Sequence, residues 1–494
     1  MDQTDTRPKD YRQDRTRIEI DEHPEGAASL QPGKVIIIKS FIALLVGFCI
    51  YLLPTPDNLK PEGHRLLALL TAVVILWVTE AIPIGVTALL AGSGLILFGI
   101  QTPQDAWAPF ASPAVMFVLM IIMFGVVLNE VGLASRLMFY LLKFAGTRVK
   151  RLSFFLAVGC TMMATIFHDA TVTVIMIFAF VPVFISMGIK PGSDSNLAKF
   201  FIILIPLSAS AGGFGTLLGG GRNPLAMEIL YVFTEQSPKF AEPVAVGFIQ
   251  YIIIQFPIAI LTAVATWGIL WLIFRPKEKE LAGVSLTHPG PMSIKEVGVL
   301  VVFAITFVLW FLGDLTGWHV SIAAALAIAG FCAPKWIDFK TICDKFPWES
   351  WIVFGAGVSL GMAMLTSGAG VFLAETFLPL LEGRPTFIVY YGFGFFGSFL
   401  SSLMSNSAAV ALMLPITLPM AEMMDMSPMM VSLLAPMTTS FIMLVIGCPP
   451  TIIAYSAGYF SQVDFVKVAV PWCLMLLVVC VAATMFYWPM IGFN

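Results

Sequence analysis

Charge is what this sequence has least of. Asp, Glu, Lys and Arg make up 12% of its 494 residues, where a soluble globule carries roughly a quarter. Hydrophobic residues make up 58%, and the mean hydropathy is +0.91. That balance excludes a water-soluble fold. The chain reads as an all-α polytopic membrane protein, with room for about ten or more crossings of ~20 residues each and no large soluble domain. A net charge of -3 without a basic block leaves no footprint for nucleic acid. Histidine is scarce too, at five residues, and no His-Glu-x-x-His pattern occurs, so a membrane-embedded hydrolase lacks an evident ligand set. We read no enzyme and no cofactor. The seven cysteines (49, 160, 332, 343, 448, 473 and 480) are odd in number and scattered through apolar runs, which suggests neither a disulfide framework nor a metal cluster.

Long apolar runs are what the sequence has instead. Residues 1–34 are polar, with mixed charges and interspersed Pro and Gly, and read as a disordered cytoplasmic tail rather than a cleavable signal peptide. Spans are expected at 35–53, 65–79, 82–100 and 112–144, then at 246–274, 297–312, 320–332, 350–381 and 467–491, punctuated by Pro, Gly and polar residues. Four further segments are interrupted. Those at 152–183 and 386–420 exceed thirty residues and carry polar inserts near their middles, His168 and Asp169 in one and Ser405, Asn406 and Ser407 in the other. Both read as re-entrant hairpins. Those at 198–230 and 428–458 are broken by GGFGTLLGGGRNP (212–224) and IGCPPT (446–451) and read as discontinuous helices. Irregular backbone at membrane depth is tolerated only inside protein or along an aqueous cavity.

The order span, hairpin, broken span occurs twice, and the second hairpin enters from the opposite face, so the chain contains an inverted repeat. Its divisions are then the tail, scaffold helices at 35–144, transport elements at 145–245, scaffold helices at 246–381, transport elements at 382–460 and a last helix at 461–494. With the amino terminus cytoplasmic, the inside loops and tail collect all of the 27 Lys and Arg except Lys60, Arg65, Lys239 and Arg384 outside and Lys39, Arg136 and Arg222 within spans. This asymmetry follows the positive-inside rule. It implies a multi-pass protein of a cell membrane, plasma or bacterial inner, with a cytoplasmic amino terminus.

A hairpin tip or helix break at the midplane exposes backbone N–H groups at the start of one half-helix and carbonyls at the end of another, suiting anions and cations respectively. Small Ser, Thr and Asn side chains complete such coordination without a fixed charge. SNSAAVALMLPI at 405–416 has that make-up.

At these residues the sequence resembles the divalent anion/sodium symporter family. TEAIP at 79–83 after Trp77, FPWESWIVFGAGVSLGMAM at 346–364, SNSAAVALMLPI at 405–416 and IGCPPT at 446–451 look like its signatures, in the family's order. The resemblance covers nearly the whole chain from residue 35. It implies eleven spans plus two hairpins, a homodimer in the bilayer with a fixed scaffold and a mobile transport domain, and elevator-type carriage of di- or tricarboxylates or sulfate, usually with sodium. By the same resemblance Ser405, Asn406 and Ser407 bind one substrate carboxylate, and Asn406 faces a sodium ion with Ser401 and carbonyls near Gly447 and Cys448. Pro450 and Thr451 stand in the second break, where the family commonly has Pro-Pro-Asn.

The first half departs further. MATIFHDATVTVIM at 163–176 aligns with the family's first Ser-Asn-Thr hairpin, but the three positions are His168, Asp169 and Ala170. Thr171, Thr173 and Thr216 stand near enough to supply the missing hydroxyls. The matching break carries Arg222 and Asn223, with Arg222 where a neutral residue is expected. Three readings stand open. Asp169 and Arg222 form a structural ion pair; or Arg222 binds the second substrate carboxylate while Asp169, near Gly215, is neutral or coordinates a first sodium; or Asp169 carries a proton, since desolvation disfavours the charged carboxylate, and with His168 loads and releases H+ in place of one Na+. The preferred readings are those with altered coupling or substrate class. Glu80, Glu130, Glu228 and Glu375 fall near span ends, where capping and interface exposure suit them.

The sequence thus implies a secondary active transporter of small divalent organic anions coupled to Na+ or H+. A sodium/proton antiporter, or a sulfate or tricarboxylate carrier on the same fold, is the alternative.

Overall fold

A computed structural model describes residues 33–281 and 289–493, apart from the side chains of 314 and 315. The segment read as a tail therefore lies, up to residue 32, outside the described residues. Within them the chain is helical, with one isolated antiparallel bridge between Arg148 and Glu280. In chain order the helices are α1 (Gly33–Leu52), α2 (Pro61–Thr79), α3 (Ile84–Leu97), α4 (Pro103–Trp107), α5 (Pro113–Glu130), α6 (Leu133–Ala145), α7 (Val149–Ala164), α8 (Asp169–Ser186), α9 (Asn196–Gly212) and α10 (Arg222–Gln236). They continue as α11 (Phe248–Phe274), α12 (Ile294–Thr316), α13 (Val320–Cys332), α14 (Phe339–Asp344), α15 (Trp348–Thr366), α16 (Ala369–Leu381), α17 (Thr386–Leu403), α18 (Asn406–Met423), α19 (Pro428–Thr438), α20 (Pro449–Ser456) and α21 (Gln462–Ala482).

Helix ends follow local chemistry. Pro61 and Pro113 stand at first helical positions, where the missing N–H has no cost. Ser293 with Glu296, and Ser461 with Asp464, form capping boxes that start α12 and α21. The runs 112–144 and 350–381, expected as single spans, are each two helices. Gly132 and Gly368 separate them, with φ of 87° and 76°. A left-handed residue ends a helix, and glycine adopts it without a Cβ clash. The short α4, capped by Thr102, was not expected.

Nine helices or helix runs among the described residues are long and apolar enough to cross a bilayer. Five shorter apolar helices (α3, α9, α13, α16 and α19) accompany them. Burial sorts the helices by environment. On α1 Ala43 and Gly47 are the buried residues, while Ile37, Phe41, Leu44 and Phe48 are exposed, as suits a helix facing lipid. By contrast α18 is buried continuously from Ala408 to Ala421, and α9 from Phe200 to Gly212, which marks them as central helices.

The repeat is visible in the details. Both α8 and α18 begin after a side chain that caps the helix, His168 and Ser405, and Pro182 and Pro419 each lie thirteen residues past the helix start. The halves also interlock. Helix α20 of the second half packs on α8 and α9 of the first, while α10 packs on α18 and α19.

Two contacts set the spacing. The Thr161 hydroxyl of α7 donates to Ser208 O of α9 at 2.8 Å, and a Cβ on Gly212 would overlap the Thr161 backbone. Elsewhere, buried Arg136 donates to Glu296 Oε1 at 2.7 Å and to the carbonyls of Pro289, Gly290 and Pro291, fastening α6 to the start of α12.

Gly212→Val should force α7 and α9 apart, at about 1–3 kcal/mol for overpacking, lowering the midpoint of thermal unfolding in detergent. Gly125→Ala, where a Cβ meets nothing within 4 Å, should leave it unchanged. Arg136→Met should destabilise by leaving Glu296 without its guanidinium, and the double change with Glu296→Met should recover part of the loss; equal midpoints for single and double variants would show that the pair is not coupled.

Candidate functional site

The first tip is the four-residue connection 165–168 between α7 and α8. His168 is its exposed end, its side chain 52% accessible, while Asp169 beside it is 4% accessible. Asp169 Oδ1 accepts from the Ala170 N–H at 2.8 Å and lies 3.1 Å from His168 Nδ1. A carboxylate in the first turn of α8 also complements the positive end of that helix. Its backbone carbonyl accepts from the Thr173 hydroxyl at 2.9 Å.

The second tip is shorter. Met404 is extended, Ser405 caps α18 by accepting from Ala408 N at 3.3 Å, and Asn406 and Ser407 form the first turn. In the amide orientation that suits its neighbours, Asn406 Nδ2 donates to Ser401 Oγ at 2.7 Å and to Thr439 O at 3.3 Å, while its oxygen accepts from Arg222 Nη1 at 3.0 Å. Ser401 Oγ in turn donates to Thr439 O at 2.5 Å.

The first break spans 213–221, between α9 and α10. Its released carbonyls are taken by side chains at the start of α10. Asn223 Nδ2 donates to Gly213 O at 2.8 Å and Thr216 O at 2.6 Å, and Arg222 Nη2 donates to Ser210 O at 3.3 Å. Thr216 donates to Thr165 O, tying break to tip, and accepts from Leu218 N at 3.0 Å. The guanidinium of Arg222 lies against Gly213 and Gly220, and a Cβ on Gly213 would overlap it. It is 4% accessible, and its Nη1 stands 3.7 Å from Asp169 Oδ2. That is an ion pair looser than a direct hydrogen bond.

The second break runs from Thr439 to Cys448 and contains a 3₁₀ turn at Val445–Gly447. Thr451 Oγ1 lies 2.6 Å from Val445 O and 2.8 Å from Cys448 O, and Cys448 Sγ lies 3.6 Å from both Thr451 Oγ1 and Ser210 Oγ. Gly447 packs on the backbone of Ser401, with no room for a side chain. Ser210, on α9, thus joins the second break to the first.

His168, Asp169, Thr216, Arg222, Asn223, Ser401, Asn406, Cys448 and Thr451 therefore meet in one network, and Ser405 and Ser407 flank it on α18. Gly215 sits between the Thr165 and Ala259 side chains. Pro450 is buried at the start of α20, where it shapes the helix end. Thr171 is half-buried within the first turn of α8. Sequence reading missed Thr165, Ser210 and Thr439, which supply a carbonyl or hydroxyl. Ser210 stands just before its break and Thr439 opens its own, in SASAGG and MTTS, and that position was the available signal. Among the acids near span ends, Glu130 pairs with Lys345 at 2.7 Å and Glu80 forms the left-handed end of α2. The Gly-x-Ser-x-Gly spacing at 357–361 lies within α15, where the buried Ser359 hydroxyl donates to Ala106 O at 2.9 Å, not on the strand-to-helix turn a nucleophile requires.

Residues 34–493 match the family described as the sodium:sulfate symporter transmembrane region. A transporter of Haemophilus influenzae is 27% identical over 485 residues, which cover 93% of this chain and 98% of that one. The sodium-dependent dicarboxylate transporter SdcS of Staphylococcus saprophyticus is 24% identical over 491 residues, 91% of each chain. Among solved structures, the YdaH transporter of Alcanivorax borkumensis matches with a TM-score of 0.56 at 15% identity, covering 93% of this chain and 98% of its own. MtrF of Neisseria gonorrhoeae matches with a TM-score of 0.54 at 13% identity, covering 94% and 96%. Both likenesses concern the fold. The chain belongs to the sodium:sulfate symporter family, the divalent anion/sodium symporters, and is a membrane transporter rather than an enzyme.

Proposed function

We propose that this protein is a secondary active transporter of small divalent organic anions, dicarboxylates such as succinate, malate or fumarate, driven by a sodium or proton gradient. The observation that carries the reading is the hydrogen bond from Arg222 to Asn406, which places a buried guanidinium between the starts of α8 and α18. Helix starts offer N–H groups and a positive dipole end to anions, and guanidinium adds the geometry that suits a carboxylate. In this reading the α18 start, with Ser405, Asn406 and Ser407, takes one carboxylate. Residues of the first tip and break, including Thr171, Thr216 and Asn223, border the other. Asn406, Ser401 and the backbone near Gly447 and Cys448 form the oxygen-rich position for a coupling cation, with Pro450 and Thr451 holding the break in shape. The Staphylococcus relative's name points the same way.

The remaining features follow from the same reading. The hairpins and breaks constitute the mobile part, the other helices the scaffold of a homodimer, and the Lys and Arg distribution supports a cytoplasmic amino terminus. Sulfate, which the family description names, is the competing cargo: a single compact dianion needs one helix start and one guanidinium. In an antiporter, Na+ would move without any anion.

Purified protein in liposomes, offered labelled succinate, malate, citrate and sulfate under separate Na+ and H+ gradients, should take up at least one dicarboxylate saturably. Absence of uptake of every anion under both gradients would overturn the reading. Asn406→Ala and Ser407→Ala should each raise the substrate KM by about 10- to 100-fold, the cost of one hydrogen bond to a charged group. Uptake of sulfate alone would assign the competing cargo.

A further inference from the structure

We infer that Arg222 is a built-in cation: its guanidinium holds the first-half position where a mobile cation would otherwise sit, so that only the second-half position is left for a coupling ion. The inference rests on the transport reading above and concerns how that transport is driven.

The two halves present corresponding parts. Each first half-helix ends with a C-cap residue, Gly213 after α9 and Thr439 after α19, whose carbonyl faces a nearby side chain. In the second half that group is neutral: Thr439 O meets Ser401 and Asn406. Asn406 and Ser401 are an amide and a hydroxyl, uncharged groups that each carry an oxygen able to accept a cation in place of their present bonds. In the first half the same junction is richer in oxygen. The carbonyls of Ser210, Gly213 and Thr216 and the carboxylate of Asp169 gather there, beside the negative end of α9. Such a set favours a cation.

The cation that occupies it belongs to the chain. Arg222 donates to Ser210 O and to the Asn406 oxygen and pairs with Asp169, while Asn223 covers the Gly213 and Thr216 carbonyls. The fit is specific, because glycine at 213 and 220 leaves the space the guanidinium fills. A free sodium ion entering this junction would meet a fixed positive charge and carbonyls already engaged. The first-half residues Asp169 and Gly215 therefore do not fit a sodium site, whereas in the second half Ser401, Asn406 and the Cys448 carbonyl are engaged by hydroxyl and amide groups of the chain, and an ion there requires Asn406 to exchange its bond from Arg222 for the ion.

Charge follows from this. Arg222 and Asp169 cancel, so the site's fixed charge is zero, and it is the ion in the second half that couples the anion to a gradient. A guanidinium on the chain cannot dissociate on either side, so its N–H donors are present in both orientations without consuming a gradient.

The test varies Na+ during uptake of whichever dicarboxylate the wild type carries. The wild type should show a hyperbolic Na+ dependence or none, with a Hill coefficient no greater than one; a coefficient near two or above would overturn the inference. Arg222→Ala should lose uptake by about 100-fold or more, and millimolar guanidinium chloride should restore it to within tenfold of the wild type. Arg222→Lys, which keeps the charge, should retain the wild-type Na+ curve. If Arg222→Ala and Arg222→Gln keep wild-type uptake and Na+ dependence, the guanidinium is only structural. A second readout does not depend on transport: millimolar guanidinium should raise the thermal midpoint of Arg222→Ala in detergent and leave the wild type unchanged. Loss of that selectivity would sink the inference even in a protein that moves dicarboxylate. Its presence in a protein that moves none would instead fault the transport reading.

Discussion

Backbone that leaves the helix inside an apolar protein must find partners there, since an unmet carbonyl or amide costs several kcal/mol. The structure depends on how that constraint is met at its two breaks. Released carbonyls at Ser210, Gly213 and Thr216 are held by Arg222 and Asn223, and those at Thr439, Val445 and Cys448 by Ser401, Asn406 and Thr451. In the first half the groups come from the start of the half-helix that follows the break. In the second they come partly from the neighbouring tip. The difference lets the first break hold itself together while the second depends on the hairpin beside it, and it places Asn406 at the meeting of both halves.

Two buried arginines show how context decides the use of a charge. Arg136 has a direct 2.7 Å bond to Glu296 and three loop carbonyls, which fully explains it as a fastening between α6 and α12. Arg222 stands 3.7 Å from its acid, and its stronger contact is the neutral oxygen of Asn406. Its Nε has no hydrogen-bond partner. Attraction in a low-dielectric interior grows steeply as charges approach, so at 3.7 Å this pair holds less of it than Arg136 and Glu296 do at 2.7 Å. The looser arrangement keeps donor capacity at the junction of two helix starts.

Much of this was legible in the sequence. Gly and Pro clusters announced both breaks, and polar inserts in apolar runs announced both tips, because few other residue types are tolerated there. The doubling at Gly132 and Gly368 was not, since neither the lone glycine between Val131 and Leu133 nor the small residues of TSGAG at 366–370 announce a helix end, and only the positive φ shows it. Nor was the bond between Arg222 and Asn406, which lie in different halves and are joined by no periodicity. The sequence did set Asp169 and Arg222 face to face, from their matching positions in the tip and the break, and the two stand 3.7 Å apart, farther than the 3.0 Å from Arg222 to the Asn406 oxygen. The hydroxyls and carbonyls of Thr165, Ser210 and Thr439 also escaped notice, because a residue that contributes its backbone leaves little trace in its side chain.

The repeat also explains where divergence is tolerated. Both tips must start a helix, and His168 and Ser405 do so equally well by accepting a backbone N–H at 3.3 Å. Helix-starting chemistry thus constrains the cap but not the residue after it, which is free to be Asp169 in one half and Asn406 in the other. Once a carboxylate is there, burial demands a counter-charge, and Arg222 comes from the facing break. Removing either would strand the other, so the two departures in this half are one change made in two places. The second half, with no charged side chain of its own at this position, keeps an amide and a hydroxyl, Asn406 and Ser401, bonded to each other and to Thr439 O. The proposed division between a permanent cation in one half and an exchangeable ion in the other rests on that asymmetry.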